Sequence, residues 1–276
     1  MPENTGLSKR NLIMDTAIQA MNETIQPVPH IEKQVEPVVQ AEGIHLAFGG
    51  QRVLDDVFFE LPAGGAVLLR GDNGSGKTTL LNVLSGFIHP ERGKVRMCLN
   101  GRSLNAPHTS PERLARAGLG RLWQDIRLFP TMTVMENVLA ATAGMAGINP
   151  FFALAAWPLV RRQEKAAQDR ALANLELVGM ANRANSSGDK LSVGQMKRVA
   201  IARLLQAGAE LLLLDEPLAG LDEGSAQGLI KLLNELNEQQ GKALLVVEHQ
   251  HERMAPVCNR TWYLANGKLI TEGMPA

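Results

Sequence analysis

Nine consecutive residues constrain this chain more than any others: Gly71-Asp72-Asn73-Gly74-Ser75-Gly76-Lys77-Thr78-Thr79. They fit the pattern G-x-x-x-x-G-K-[ST]. A short apolar run, Ala66-Val67-Leu68-Leu69, precedes them, and Leu80 to Leu84 reads as the start of a helix. Such a loop works only between a strand and a helix. Its glycines let the backbone wrap an anion, so that successive N–H groups converge on phosphate oxygens. The helix N-terminus adds partial positive charge. Lys77 is placed to reach the β and γ phosphates of a nucleotide, and the Thr78 hydroxyl to ligate Mg²⁺.

Two further apolar runs share the character of the first. Leu211 to Leu214 is followed by Asp215-Glu216-Pro217, and Leu244 to Val247 by Glu248-His249. Continuous rather than alternating apolar runs predict strands buried on both faces, as in a parallel sheet covered by helices. Ligands of such sheets sit at the carboxyl ends of the strands. The three runs thus predict one α/β fold with one shared site. Neighbouring side chains leave a strand in opposite directions, so Asp215 and Glu216 can divide the work. Asp215 is assigned to Mg²⁺, and Glu216 to the attacking water as general base.

Other regions are less specific. Ile44–Phe48 and Val53–Leu61 read as strands around the Gly49-Gly50 turn. Residues 105–205 read mostly as helix. Residues 1–40 are polar and proline-punctuated, and form an expected N-terminal extension with a short amphipathic stretch from Leu12 to Met21. They carry Glu3, Lys9, Arg10, Asp15 and Glu23, which argues against a secretory signal. The residues between Glu136 and Arg161 carry no charge, but Gly144, Gly147, Pro150 and Pro158 break them into pieces too short to span a bilayer. Lys plus Arg and Asp plus Glu each number 28, so no basic field for nucleic acid is expected. Two cysteines, Cys98 and Cys258, argue against a disulfide framework or a zinc site.

Ser192 and Gln195, in Leu191-Ser192-Val193-Gly194-Gln195, form an S-x-x-Q capping box that opens a helix ending near Gly208. A capped helix start is also a phosphate site. LSVGQ, between the phosphate loop and Asp215-Glu216-Pro217, resembles the LSGGQ signature of ABC-transporter ATPases. Gln124 in Leu122-Trp123-Gln124-Asp125 is similar to the Q-loop of that family, and Ala219-Gly220-Leu221-Asp222 to its D-loop. His249 is similar to its switch histidine, and Phe48 to the aromatic that stacks on adenine. Val193 departs from the usual glycine. Phe48-Gly49-Gly50, Leu128-Phe129-Pro130, Thr133 to Val138 and Val247-Glu248-His249 resemble the branched-chain amino acid transporter subgroup.

The resemblance implies a P-loop NTPase with a RecA-like parallel core, an antiparallel β subdomain and an α-helical subdomain near residues 125–208, all within residues 41–276. It implies ATP and Mg²⁺ as ligands, and a head-to-tail dimer, homo- or heteromeric. Ser192, Gly194 and Gln195 of one subunit would face the phosphate loop of the other, and Asp222 would link the two sites. Lys77, Gln124, Glu216 and His249 would serve catalysis, with Thr78, Gln124 and Asp215 at the metal. A transmembrane permease at the cytoplasmic face of the membrane, with a solute-binding protein reached through it, completes the expected assembly. The implied cargo is branched-chain amino acids or a similar small polar solute. A soluble non-transport ABC ATPase and an exporter ATPase are the rival readings. Trp123, Phe129, Phe151, Phe152 and Trp157 cluster in sequence and are expected to meet the membrane partner.

Overall fold

The computed structural model describes residues 36–142 and 157–272. Every described residue belongs to the compact unit Glu36–Ala276. The amphipathic stretch Leu12–Met21 and the aromatic pair Phe151 and Phe152 therefore lie outside the described residues.

Strands β1 (Pro37–Phe48) and β2 (Gln51–Pro62) form an antiparallel hairpin, longer than the two segments the sequence suggests. Gly49 and Gly50 turn it with φ of 55° and 85°, the two positive values that a tight hairpin turn requires. With β4 (Arg92–Leu99) and β5 (Arg102–Asn105) they make an antiparallel sheet in the order β2-β1-β4-β5.

A second sheet has the order β10-β9-β3-β8-β7-β6. The three apolar runs are its adjacent strands β3 (Ala66–Arg70), β8 (Ala243–Val247) and β7 (Leu211–Asp215), all parallel. β9 (Arg260–Ala265) runs parallel to β3, and β10 (Lys268–Glu272) closes the edge antiparallel. The alternation of side chains explains why the runs are continuous. Val67, Leu69, Leu211, Leu213, Leu245 and Val247 point into one core, shared with the antiparallel sheet and helix α1 (Lys77–Leu84). Leu68, Leu212, Leu214, Leu244 and Val246 point into the other, under helices α4 (Trp157–Leu177), α5 (Val193–Gln206) and α6 (Glu223–Glu238). Each fully buried leucine contributes about 1.5–3 kcal/mol relative to exposure.

The region expected to be mostly helical contains α2 (Pro111–Ala117), α3 (Val134–Leu139), α4 and α5, but also a strand, β6 (Leu119–Leu122). β6 pairs parallel with β7, Leu119 opposite Leu211. Four residues are too few to show a period, and Arg121 masks the apolar character of the run. Among the described residues, no helix is long and apolar enough to cross a membrane.

Candidate nucleotide and catalytic site

The phosphate loop connects β3 to α1, as its sequence requires. Gly71 has φ 146°, and a Cβ there would fall on the Leu264 carbonyl. Gly76 has φ 103°, and a Cβ there would lie 2.9 Å from Cγ1 of Val53. These two glycines let the loop pass close to neighbouring strands. Val53 lies just beyond the β1–β2 turn, so the hairpin carrying Phe48, half exposed, borders the loop. Asp72, Asn73, Gly74 and Thr78 are exposed, and Thr79 is half-buried. Lys77 is 8% exposed, and its ammonium donates to the Gly71 carbonyl at 2.8 Å and the Asp72 carbonyl at 2.9 Å. The Ser75 hydroxyl is buried without a partner. A cationic lysine, an unpaired hydroxyl and a glycine cradle together fit a polyphosphate.

The ends of β7 and β8 complete the site. Asp215, the last residue of β7, is 5% exposed. Burial raises its pKa, the nearby Glu216 charge adds to the rise, and Arg121 and Lys77 oppose it. Glu216 does not continue the strand. It takes the left-handed φ of 49°, its N–H donates to the Val247 carbonyl at 2.9 Å, and its carboxylate swings toward two partners. Gln124 Nε2 donates to Oε2 at 3.0 Å, and His249 Nε2 lies 3.2 Å from Oε1. The separate environments of the two carboxylates therefore come from a sharp turn after the strand, and not from strand alternation. A cleft of about 700 Å³ is lined by Thr78, Arg121, Gln124 and Asp215 and continues to Arg203 and Leu204.

The signature residues stand apart from this cluster. Ser192 caps α5: its hydroxyl accepts from Gln195 N–H at 3.3 Å, and Gln195 Oε1 accepts from Ser192 N–H at 3.0 Å. Gly194 packs on the start of α6, where a Cβ would lie 3.0 Å from that of Ser225. Asp222 caps α6 through Ser225 N–H at 2.9 Å and the Ser225 hydroxyl at 2.7 Å, and these bonds lower its pKa. Val193 is 43% exposed beside Gly220.

Three charged groups near the site were given no role from the sequence. Arg121, on β6, lies 3.7 Å from Asp215, donates to the Ser85 hydroxyl at 2.6 Å and stacks 3.6 Å from the Trp123 ring centroid. Burial pushes its pKa down to about 10 against the pull of Asp215. Its Nε and Nη2 atoms are buried without a hydrogen-bond partner. Lys197 is buried on α5, with its pKa lowered by burial against the attraction of Glu248 and Glu216. Glu248 is buried at the end of β8. The one available signal was a charge interrupting an apolar run, as Arg121 does in Leu119–Leu122.

The turn after Gln124 is built by buried Asn137. It accepts from Phe129 N–H at 2.8 Å and donates to the carbonyls of Phe129 and Thr133, each at 3.0 Å. A reciprocal capping box of Thr133 and Glu136 starts α3 beside it. This turn presents Phe129 and Met132, while Trp123 meets Phe87 edge-on at 5.2 Å between centroids, all four exposed. Cys258 is buried, its thiol pushed up to about 12 by burial, and Cys98 is half-buried. Among the described residues no group of three or more His, Cys, Asp and Glu side chains is placed to hold a metal ion.

Comparison with known proteins agrees with this geometry. A family profile described as ABC transporter matches residues 54–219. The chain is 33% identical over 240 residues to the high-affinity branched-chain amino acid transport ATP-binding protein LivG of Salmonella typhimurium, covering 87% of this chain and 92% of that protein. It is 34% identical over 244 residues to the phosphonates import ATP-binding protein PhnC of Stutzerimonas stutzeri, covering 86% and 85%. A nucleotide-free ATP-binding cassette from an ABC transporter matches with TM-score 0.71 and 28% identity, over 87% of this chain and 92% of that one. A dimeric post-hydrolysis cassette bound to ADP and phosphate matches with TM-score 0.67 and 26% identity, over 86% and 99%. Phosphate loop, strand-end carboxylates and these matches agree: the chain belongs to the ABC transporter family, as an ATP-binding subunit and ATP hydrolase of the ABC type.

Proposed function

We propose that this chain drives solute uptake through a membrane permease by cycles of ATP-dependent dimerisation, with branched-chain amino acids or a similar small polar solute as cargo. The observation that carries the mechanism is the convergence of Lys77, Thr78, Asp215, Glu216 and His249 at the ends of three adjacent strands. The name of LivG supports the cargo class. The match to PhnC at similar identity supports a wider class of imported solutes, because cargo is chosen by the permease and any solute-binding protein.

In the proposed reaction the phosphate loop holds the β and γ phosphates of ATP, and Lys77 exchanges the loop carbonyls for phosphate oxygens. Phe48 stacks on the adenine. Thr78, Asp215 and Gln124 would hold Mg²⁺, which would neutralise charge on the phosphates. Glu216 takes a proton from the attacking water, and His249 keeps that water and the γ-phosphate in line. Gln124 and His249 already orient both carboxylate oxygens of Glu216.

A lone phosphate loop leaves one side of the γ-phosphate in water. The start of α5 in a second subunit supplies the missing donors. Its capping box satisfies Gln195, while the N–H groups of Val193 and Gly194 have no acceptor within the helix. Asp222 then links one site to the other. Phe87, Trp123, Phe129 and Met132 form the apolar face for the permease, beside the Gln124 turn that senses nucleotide. The N-terminal extension is assigned no part in hydrolysis, and residues 37–40, expected to belong to it, are instead the start of β1.

Co-expression with candidate permeases followed by membrane sedimentation tests this reading. The chain is expected in the membrane fraction only when its permease is present, and mild-detergent purification should identify that partner. Sedimentation independent of any permease would contradict it.

A further inference from the structure

Lys197 is charged, yet only 2% exposed, on a helix whose other fully buried side chains are Val199, Ile201, Ala202 and the amide Gln206. A buried ammonium is tolerated only where its hydration is replaced. Here three backbone carbonyls replace it: Glu216 at 3.0 Å, Pro217 at 2.7 Å and Ala219 at 2.8 Å. An ammonium has three donors, so none is left over.

The carbonyls belong to a strained segment. Glu216 is a non-glycine residue at φ 49°, a conformation that persists only where its surroundings enforce it. The same segment is also held by a buried carboxylate. Glu248, 6% exposed, accepts from Leu218 N–H at 3.0 Å, from His249 N–H at 2.9 Å and from Gln250 N–H at 3.4 Å. A cation on α5 and an anion at the end of β8 therefore grip residues 216–219 between them. The Glu248 carboxylate also fixes the backbone that carries His249.

We propose that Lys197 and Glu248 form a buried clamp that enforces the left-handed turn at Glu216 and so aims its carboxylate at Gln124 and His249. Neither residue is among those lining the cleft, and both side chains bond backbone groups, so both are positioning residues. Lys197 lies little more than one turn along α5 from Ser192. Any displacement of the signature helix on dimer closure is thereby passed to the backbone of Glu216 in the same chain. The clamp gives the signature helix a second task, setting the geometry of hydrolysis in its own subunit. This inference rests on the reading of Glu216 as the base.

The test is steady-state ATP hydrolysis by the full-length chain with Mg²⁺, for Lys197→Met, Lys197→Arg and Glu248→Gln, with ATP binding measured alongside. Lys197→Met is expected to lower kcat at least about tenfold while KM for ATP stays within about threefold. Lys197→Arg should recover part of the loss, and Lys197→Met should add no further loss to Glu216→Gln. A kcat within about twofold of the unaltered chain, or a parallel fall in kcat and ATP affinity, overturns the clamp. If Lys197→Met does not fold, the same split between kcat and KM is required of Glu248→Gln. Wild-type turnover by Glu216→Gln would sink the base assignment, whereas an inactive Glu216→Gln beside an unimpaired Lys197→Met sinks the clamp alone.

Discussion

The phosphate-loop end and the signature end of this molecule are both helix N-termini, but they are finished differently. At the first, α1 follows Gly76 with no side-chain cap, the Ser75 hydroxyl has no partner, and Lys77 is buried against its own loop. At the second, Ser192 and Gln195 close a reciprocal capping box, and Asp222 caps the adjoining α6. The first end is left incomplete in a way that a polyphosphate would complete. The second is a satisfied structural cap whose remaining N–H groups have no acceptor within the helix. The difference fits the proposed division of labour, in which one end would bind nucleotide within the subunit and the other would act on the nucleotide of a partner.

Substitutions at the two ends should therefore fail differently. Lys77→Ala is expected to have the largest effect, a fall in kcat/KM of about a hundredfold or more, because a cationic donor to the transferring phosphoryl group is lost. Equilibrium ATP binding to the monomer should fall with it, and binding at near wild-type affinity would break the comparison. Ser192→Ala should weaken ATP-dependent dimerisation more than it weakens ATP binding by the monomer. Its stability cost should be about 0.5–2 kcal/mol, the usual cost of a lost N-cap, read from urea unfolding. Equal losses in dimerisation and monomer binding would leave Ser192 a cap and nothing more.

Asp222→Ala should produce the smallest effect, a lowered Tm whose size depends on pH. The Ser225 bonds hold the Asp222 carboxyl below its ordinary pKa in the folded chain. A depressed carboxyl stabilises the fold above its unfolded pKa, near 4 for an aspartate, and the gain is lost as pH falls through the folded value. The Tm gap between the native chain and Asp222→Ala is therefore full at neutral pH and closes in acid. Asp222→Asn keeps an acceptor that does not titrate, so its gap to the native chain should be smaller at neutral pH and also close in acid, while the difference between Asp222→Asn and Asp222→Ala stays constant with pH. A gap that widens in acid would contradict the cap.

Much of the fold was legible before any coordinates. The runs ending at Leu69, Leu214 and Val247 gave adjacent parallel strands because continuous burial leaves a continuous apolar signature. The phosphate loop and the Ser192 cap were legible because local backbone needs dictate their residues. β6 was not, since four residues carry no period and Arg121 interrupts them. The turn at Glu216 was hidden for another reason. Its left-handed φ is enforced by Lys197 and Glu248, which approach from distant parts of the chain. Buried charges defy the pattern that sequence reading depends on, and here they gather around the site.

The central claim is that Glu216 is the base of a site completed by a second subunit. Light scattering of Glu216→Gln with Mg²⁺ and ATP, combined with analysis of the bound nucleotide, tests it most directly. The account predicts a dimer that accumulates with unhydrolysed ATP, while turnover falls about 10²–10⁴-fold. A monomer under saturating ATP, or turnover at the rate of the unaltered chain, would contradict it.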